Sequence, residues 1–264
     1  MPIFDFHCHI YPDKIAEKAA EATGTFYGTG APKGLGTVSH LIQRGREAGI
    51  SRQLIHSVAT TPAQVGSINR FIAACVQAEP DRFVGFGALH PDSEDQEAEI
   101  QQIIDLGLRG IKLHPDIQKF ALNEPRSMRM FEANAGRLPF LLHTGDDRYA
   151  YSNPEQLIPV LEAFPDTVFI GAHMVGYTVW DQSRRELYGK YDNLWTDCSS
   201  TRFRVCDEDF VSLIRAFGPE KVLFGTDYPG VNPASDIAAV LYEDLTSREY
   251  ECIFHKNAEQ LLKL

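Results

Sequence analysis

Along the chain, short apolar runs alternate with longer stretches of helical period. Eight runs read as strands: PIFDFHCHI, SRQLIHSV, FVGFGALH, LRGIKLH, LPFLLHTG, TVFIGAHM, NLWTDCS and KVLFGTD. Between them the spacing predicts helices over 62–79, 93–106, 125–136, 154–163, 207–217 and 234–244. Thr61-Pro62, Asn153-Pro154 and Asn232-Pro233 each put a capping residue before a proline whose fixed φ suits a first helical turn. Gly107, Gly136 and Gly218 stand where helices should stop.

Strands that alternate with helices pair in parallel through right-handed crossovers. Eight of them in 264 residues fit an α/β fold, a (β/α)8 TIM barrel, as a single domain over residues 1–264. The rival is an open doubly wound sheet. It would favour a glycine-rich phosphate turn after the first strand, and HCHIYP stands there instead. One connection is unusual, the Gly- and Thr-rich stretch 22–37. It reads either as a lid over the barrel mouth or as a flexible surface loop.

Composition narrows the partners. Lys and Arg number 25 against 36 Asp and Glu, a net charge of −11, which argues against nucleic acid or an anionic membrane surface. A small-molecule substrate is expected instead. The five cysteines are scattered, with no C-x-x-C pair, and read as free thiols in a reducing compartment. No signal peptide is readable at the N-terminus, and no apolar run approaches the ~18 residues of a spanning helix. A cytoplasmic protein is expected.

The nine histidines carry the chemistry. His7, His9, His56, His90, His114, His143 and His173 fall on predicted strands, mostly at their C-terminal ends; His40 and His255 fall on helices. In a parallel barrel those ends form the active-site face. Imidazoles from strands 1, 3, 4, 5 and 6 are therefore expected at one mouth. His7 and His9 are two apart on a strand and point to one side, with Cys8 and Ile10 turned toward the helices. Two neighbouring imidazoles suit a divalent metal of zinc type. His143 ends the fifth strand and Asp227 the eighth. A carboxylate at the end of an apolar strand is costly without a partner, and a metal supplies one. Singly, each feature has a structural reading: a hydrogen-bonded core histidine, or an aspartate capping the next helix. Together they are independent positions meeting at one place.

FDFHCHIYP, GIKLHP (110–115), LLHTG (141–145), GAHMVG (171–176) and LFGTDYP (223–229) resemble, in order, the amidohydrolase superfamily. The resemblance is to the amidohydrolase-related branch, which also holds aminocarboxymuconate-semialdehyde decarboxylase and resorcylate-type decarboxylases. It implies that His7, His9, His143 and Asp227 are metal ligands. His173 would contact the substrate or the metal-bound water, and Asp227 and His173 would be the catalytic pair. One zinc is expected. Lys112 and His114 share parity on strand 4 and are candidates for substrate contact. In some superfamily members a strand-4 lysine is carboxylated and bridges two metals. Lys112 left unmodified would bind a substrate carboxylate or pair with an acid. Arg148, Arg202 and Arg204 follow strands 5 and 7 and either clamp an anionic substrate or lie on the surface. Members are often dimers, so a homodimer is expected.

The first functional reading is a hydrolase of a small amide- or lactone-type carbonyl substrate, acting through a metal-activated water. The alternative is a non-oxidative decarboxylase of an unsaturated or aromatic carboxylic acid on the same site. A phosphoesterase of the polymerase-and-histidinol-phosphatase type also opens with H-x-H, but uses more acidic and histidine ligands. A purely structural metal would favour a closed, cysteine-rich shell.

Overall fold

A computed structural model describes residues 1–30 and 34–264. Its strands are β1 (Phe4–His9), β2 (Arg52–His56), β3 (Phe83–Gly85), β4 (Gly87–Ala88), β5 (Ile111–Leu113), β6 (Phe140–Leu142), β7 (Phe169–Gly171), β8 (Leu194–Asp197) and β9 (Val222–Leu223). Every paired neighbour is parallel. β3 and β4 are two halves of one barrel strand, interrupted at Phe86, and they account for the third predicted strand. The ring closes where the Phe6 N–H donates to the Phe224 carbonyl (2.8 Å) and the His9 N–H to that of Tyr228 (2.7 Å). Eight strand positions thus form the expected TIM barrel.

The helices follow the predicted starts and stops. Val65–Ala78, Gln96–Asp105, Pro125–Asn134, Pro154–Ala163, Asp207–Phe217 and Pro233–Leu241 begin and end within three residues of expectation. Of the three capping pairs, only Asn232 caps with its side chain, accepting from the Ala234 N–H (3.1 Å). Thr61 and Asn153 supply extended backbone and no side-chain bond. The stretch 22–37 departs further from expectation. Residues 22–27 are the last turns of the helix Asp13–Tyr27, which stops at Gly28 in the left-handed region (φ 66°). Residues 31–33 of that stretch lie outside the described residues.

Alternation along the strands separates two apolar layers. Ile55, Leu113, Phe140, Leu142 and Phe169 pack outward against the helices. Phe4, Phe6, Leu54, Phe86, Leu141 and Ile170 fill the lower lumen, with Leu262 of the helix Asn257–Leu262 against them. The Phe86 ring occupies the space where a Cβ at Gly110 would stand. β1 breaks the alternation. Its register to β2 slips between Asp5 and Cys8, a β-bulge. Phe4 and Phe6 face the lumen below the bulge, yet Cys8 and Ile10 of the same parity join the outer layer above it. The bulge is what turns His7 and His9 inward over the two phenylalanines. All five cysteines are free, and no described helix is long and apolar enough to cross a membrane.

Candidate active site

Above the apolar fill, the C-terminal ends of the strands surround a cavity of about 850 Å³. His7, His9, Lys112, His114, His143, His173 and Asp227 all line it. The expected metal, catalytic and substrate candidates thus stand around one cavity.

On one wall three donor atoms converge. His7 Nε2 and His9 Nε2 are 3.3 Å apart, and each is 3.5 Å from Asp227 Oδ1. Donors sharing one ion at ~2.1 Å stand about 3 Å from one another, so this spacing fits a divalent cation with little movement. The protonation states fit as well. Burial and the nearby Lys112 charge hold His7 down to about 4, neutral at physiological pH. Burial works against the charge of Asp227, but His9, His7 and His173 hold it well below the usual carboxylate range. An ionised carboxylate beside two neutral imidazoles is a ready ligand set.

The strands behind the triad orient it. His7 Nδ1 lies 2.8 Å from Asp197 Oδ2 on β8. The carboxylate can only accept, so His7 donates through Nδ1 and presents a lone pair on Nε2. The other Asp197 oxygen accepts from the His173 N–H (3.2 Å) and the Ser199 N–H (3.0 Å). Asp5 ties β1 to the loop carrying Asp227, accepting from the Thr226 N–H (2.9 Å) and hydroxyl (2.7 Å). A Cβ on Gly225 would stand 2.8 Å from that of His7, so only glycine lets this loop come so close. The backbone is strained here. His173, Met174 and Val175 have φ of 61°, 55° and 53°, and Asp227 has 58°, in the left-handed region that non-glycine residues avoid.

Beside the triad stands a second imidazole group, whose His173 ring stacks on that of His7 with centroids 5.3 Å apart. His173 Nδ1 donates to the Ser199 carbonyl (2.9 Å), leaving Nε2 3.0 Å from His143 Nδ1. His143 and His114 stack with centroids 4.0 Å apart. Tyr27 Oη reaches His114 Nε2 (2.5 Å) and His143 Nδ1 (3.4 Å) from the end of its helix. Behind His143, Asp116 Oδ2 lies 3.5 Å from Nε2, and burial raises Asp116 to about 7. Among the described residues His143 has no hydrogen bond, ion pair or ring contact with His7, His9 or Asp227. The fourth expected ligand is thus set off from the triad by the His173 ring, which contacts both His7 and His143.

Lys112 stands beside the triad, its Nζ 3.3 Å from His7 Nε2. It is 1% exposed, and burial lowers it to about 8. Phe26, Tyr27, Phe71, Tyr177 and Phe203 supply aromatic surface around the cavity. Arg204 lines the mouth, stacked 4.1 Å over the Tyr177 ring. Arg148 pairs with Asp146, and Arg202 pairs with Asp207 and Glu243, so these two are tied to carboxylates of the chain itself.

Three expectations change. His90 does not line the cavity; it turns to its own loop, accepting from the Asp92 N–H (3.1 Å). His56 of β2 is also absent from the cavity lining, but its ring stands against those of His7 and His9. Asp197 and Tyr27 were not among the expected site residues. Asp197 had a readable signal, because it ends an apolar strand just as Asp227 does. Tyr27 lies in the stretch 22–37 whose lid reading pointed to the mouth, and it lines the cavity with Thr23, Gly24 and Phe26, but nothing in the sequence singled it out there.

A parallel barrel with convergent imidazoles and carboxylates at its C-terminal face defines a class of metal-type barrel enzymes. The chain belongs to the Amidohydrolase family, whose sequence model matches residues 4–264. No curated protein matches it. Solved structures resemble it throughout. An uncharacterized TIM-barrel protein of Bordetella bronchiseptica is 21% identical, with a TM-score of 0.78 over 100% of this chain and 99% of that one. The 2,6-dihydroxybenzoate decarboxylase of Rhizobium is 16% identical, with a TM-score of 0.74 over 100% and 99%. The 5-carboxyvanillate decarboxylase of Novosphingobium aromaticivorans, complexed with manganese and 4-hydroxy-3-methoxy-5-nitrobenzoic acid, is 17% identical, with a TM-score of 0.74 over 100% and 96%. At these identities the likeness is one of fold.

Proposed function

We propose that the chain is a metal-dependent, non-oxidative decarboxylase of an aromatic or unsaturated carboxylic acid. The observation that carries this reading is Lys112, a buried cation beside the donor triad with no carboxylate in ion-pair contact among the described residues. A buried charge needs a counter-charge, and an unmodified lysine here suits a substrate carboxylate. The aromatic walls suit a flat ring. The names of the similar decarboxylases support the same alternative over hydrolysis.

His7, His9 and Asp227 would hold the cation, and His143, beyond the His173 ring, would close on it. The cation supplies Lewis acidity toward a substrate oxygen. Its identity follows from donor chemistry only as a first-row divalent ion; zinc suits the imidazoles, and a similar structure holds manganese. Lys112 binds the substrate carboxylate. His173, fixed through Ser199, offers Nε2 to a substrate hydroxyl. Asp227 would accept a proton from water and pass it to carbon. The C–C bond to the carboxylate breaks, its electron pair stays on the ring carbon, a C–H bond forms there, and CO2 leaves. Solvent then restores the proton.

A panel of hydroxylated benzoates and unsaturated acids, assayed in 18O-water after loading with zinc or manganese, tests this. CO2 release with no 18O in the organic product is expected. Labelled product with no CO2 overturns the reading in favour of a hydrolase. Lys112→Met should lower kcat/KM at least about 30-fold, the rate equivalent of ~2 kcal/mol for losing a buried charge partner. With labelled bicarbonate, 13C spectra should contain no carbamate carbon at Lys112. The proposal includes a homodimer acting on a small molecule in the cytoplasm, checked by sedimentation and by localisation of a tagged chain.

A further inference from the structure

His56 is the one mouth histidine whose two ring nitrogens both lack a hydrogen-bond partner among the described residues. It is 0% exposed. A buried polar group left unpaired costs about 1–3 kcal/mol, so such a side chain is normally bonded to something. The other imidazoles of the mouth have partners: His7 on Asp197, His173 on Ser199, His114 on Tyr27. His56 has two rings for neighbours. It stands opposite His9 in the β1–β2 register, with their centroids 4.4 Å apart and planes at 88°. Its centroid is 4.9 Å from that of His7. One donor nitrogen from each of His7, His9 and His56 falls within 4.8 Å of the other two. Neighbouring donors around a ~2.1 Å shell stand about 3 Å apart, so His56 closes the rest of that spacing by turning its ring toward His7 and His9.

We infer that His56 is a further ligand of the cation, joining His7, His9 and Asp227 on the β9–β1–β2 side of the mouth. This rests on the reading of the site as a metal centre. It moves the centre of the ligand set toward β2. His143 then becomes the ligand that must travel, since it is occupied with His173 and Tyr27.

Metal binding by the full chain tests the inference without an activity assay. Zinc affinity is measured by chelator competition, and the imidazole count per zinc by X-ray absorption, for the wild type and for His56→Asn and His56→Phe. Both variants should lose one imidazole and at least about 10-fold in affinity, the lower end of what disturbing even an outer-shell partner costs. Equal counts and unchanged affinity overturn the inference and leave the metal centre standing; His56 would then be a packing group edge-on to His9. A wild type that takes up no zinc overturns the metal centre and this inference together. The zinc-edge anomalous map of zinc-loaded wild-type crystals decides the case even if neither variant folds. A peak about 2.1 Å from a His56 ring nitrogen is expected, and a peak outside bonding distance overturns the assignment.

Discussion

The two ends of the barrel lumen are made by the same strands and have opposite chemistry. At the bottom, Phe4, Phe6, Leu54, Phe86, Leu141 and Ile170 interlock; Phe6 and Phe86 meet edge-on with centroids 5.8 Å apart. Nothing polar is needed there, and dense packing supplies the stability. At the mouth, one layer further along the same strands, stand His7, His9, His56, Lys112, His143 and Asp197. Each of these is buried or half-buried and costs free energy unless paired. The barrel bottom therefore holds the mouth in a shape that the mouth's own residues would not adopt alone. The left-handed backbone at His173, Met174, Val175 and Asp227 is on the mouth side.

If the two ends are separable, each should be breakable without the other. The largest effect is expected from His7→Ala combined with His9→Ala. Bound metal should disappear and turnover should fall at least about 1000-fold, with the protein still folded. Full metal content in that double variant would refute the donor triad. Asp227→Asn should keep the fold and some metal and lose most turnover; near-normal turnover would remove its role as proton carrier.

The converse change is Phe86→Ala. Emptying the ring's space should cost about 3–5 kcal/mol in denaturant unfolding, with metal content per folded molecule unchanged. A stability loss below ~1 kcal/mol would mean that the bottom layer does not carry the barrel. Asp197→Asn is the smallest and most informative change, because Asp197 touches both the triad and the second imidazole group. Metal affinity should fall about 10- to 100-fold through the loosened His7. Unchanged affinity by chelator competition would show that the Asp197 bond does not hold the ligand in place.

Much of this was legible in the chain. The strands at 111–113, 140–142 and 169–171 follow from apolar runs that end in Gly, His or Pro signals, and their outer and lumen faces alternate as a strand must. The donor residues His7, His9 and Asp227 were recognisable because unsatisfied polar groups at the ends of buried strands demand a reason. His56 and His90 were not separable by that logic, since both come after apolar strand residues. One turned to the triad and the other to its own loop. The alternation ends at Phe86: Ala88 and Leu89 both join the outer layer, and His90 follows them into the loop.

By itself the sequence determined the period of the elements, and with it the parallel barrel and the face on which its chemistry gathers. Those depend on local alternation, which neighbouring residues encode. The tertiary structure alone decided which imidazoles meet. The bulge in β1 turns His7 and His9 inward over Phe6, Gly225 admits the loop of Asp227, and Asp197 reaches across from β8 to select the nitrogen His7 presents. Each of these joins residues far apart in the chain through a register or a close approach, which local patterns do not specify.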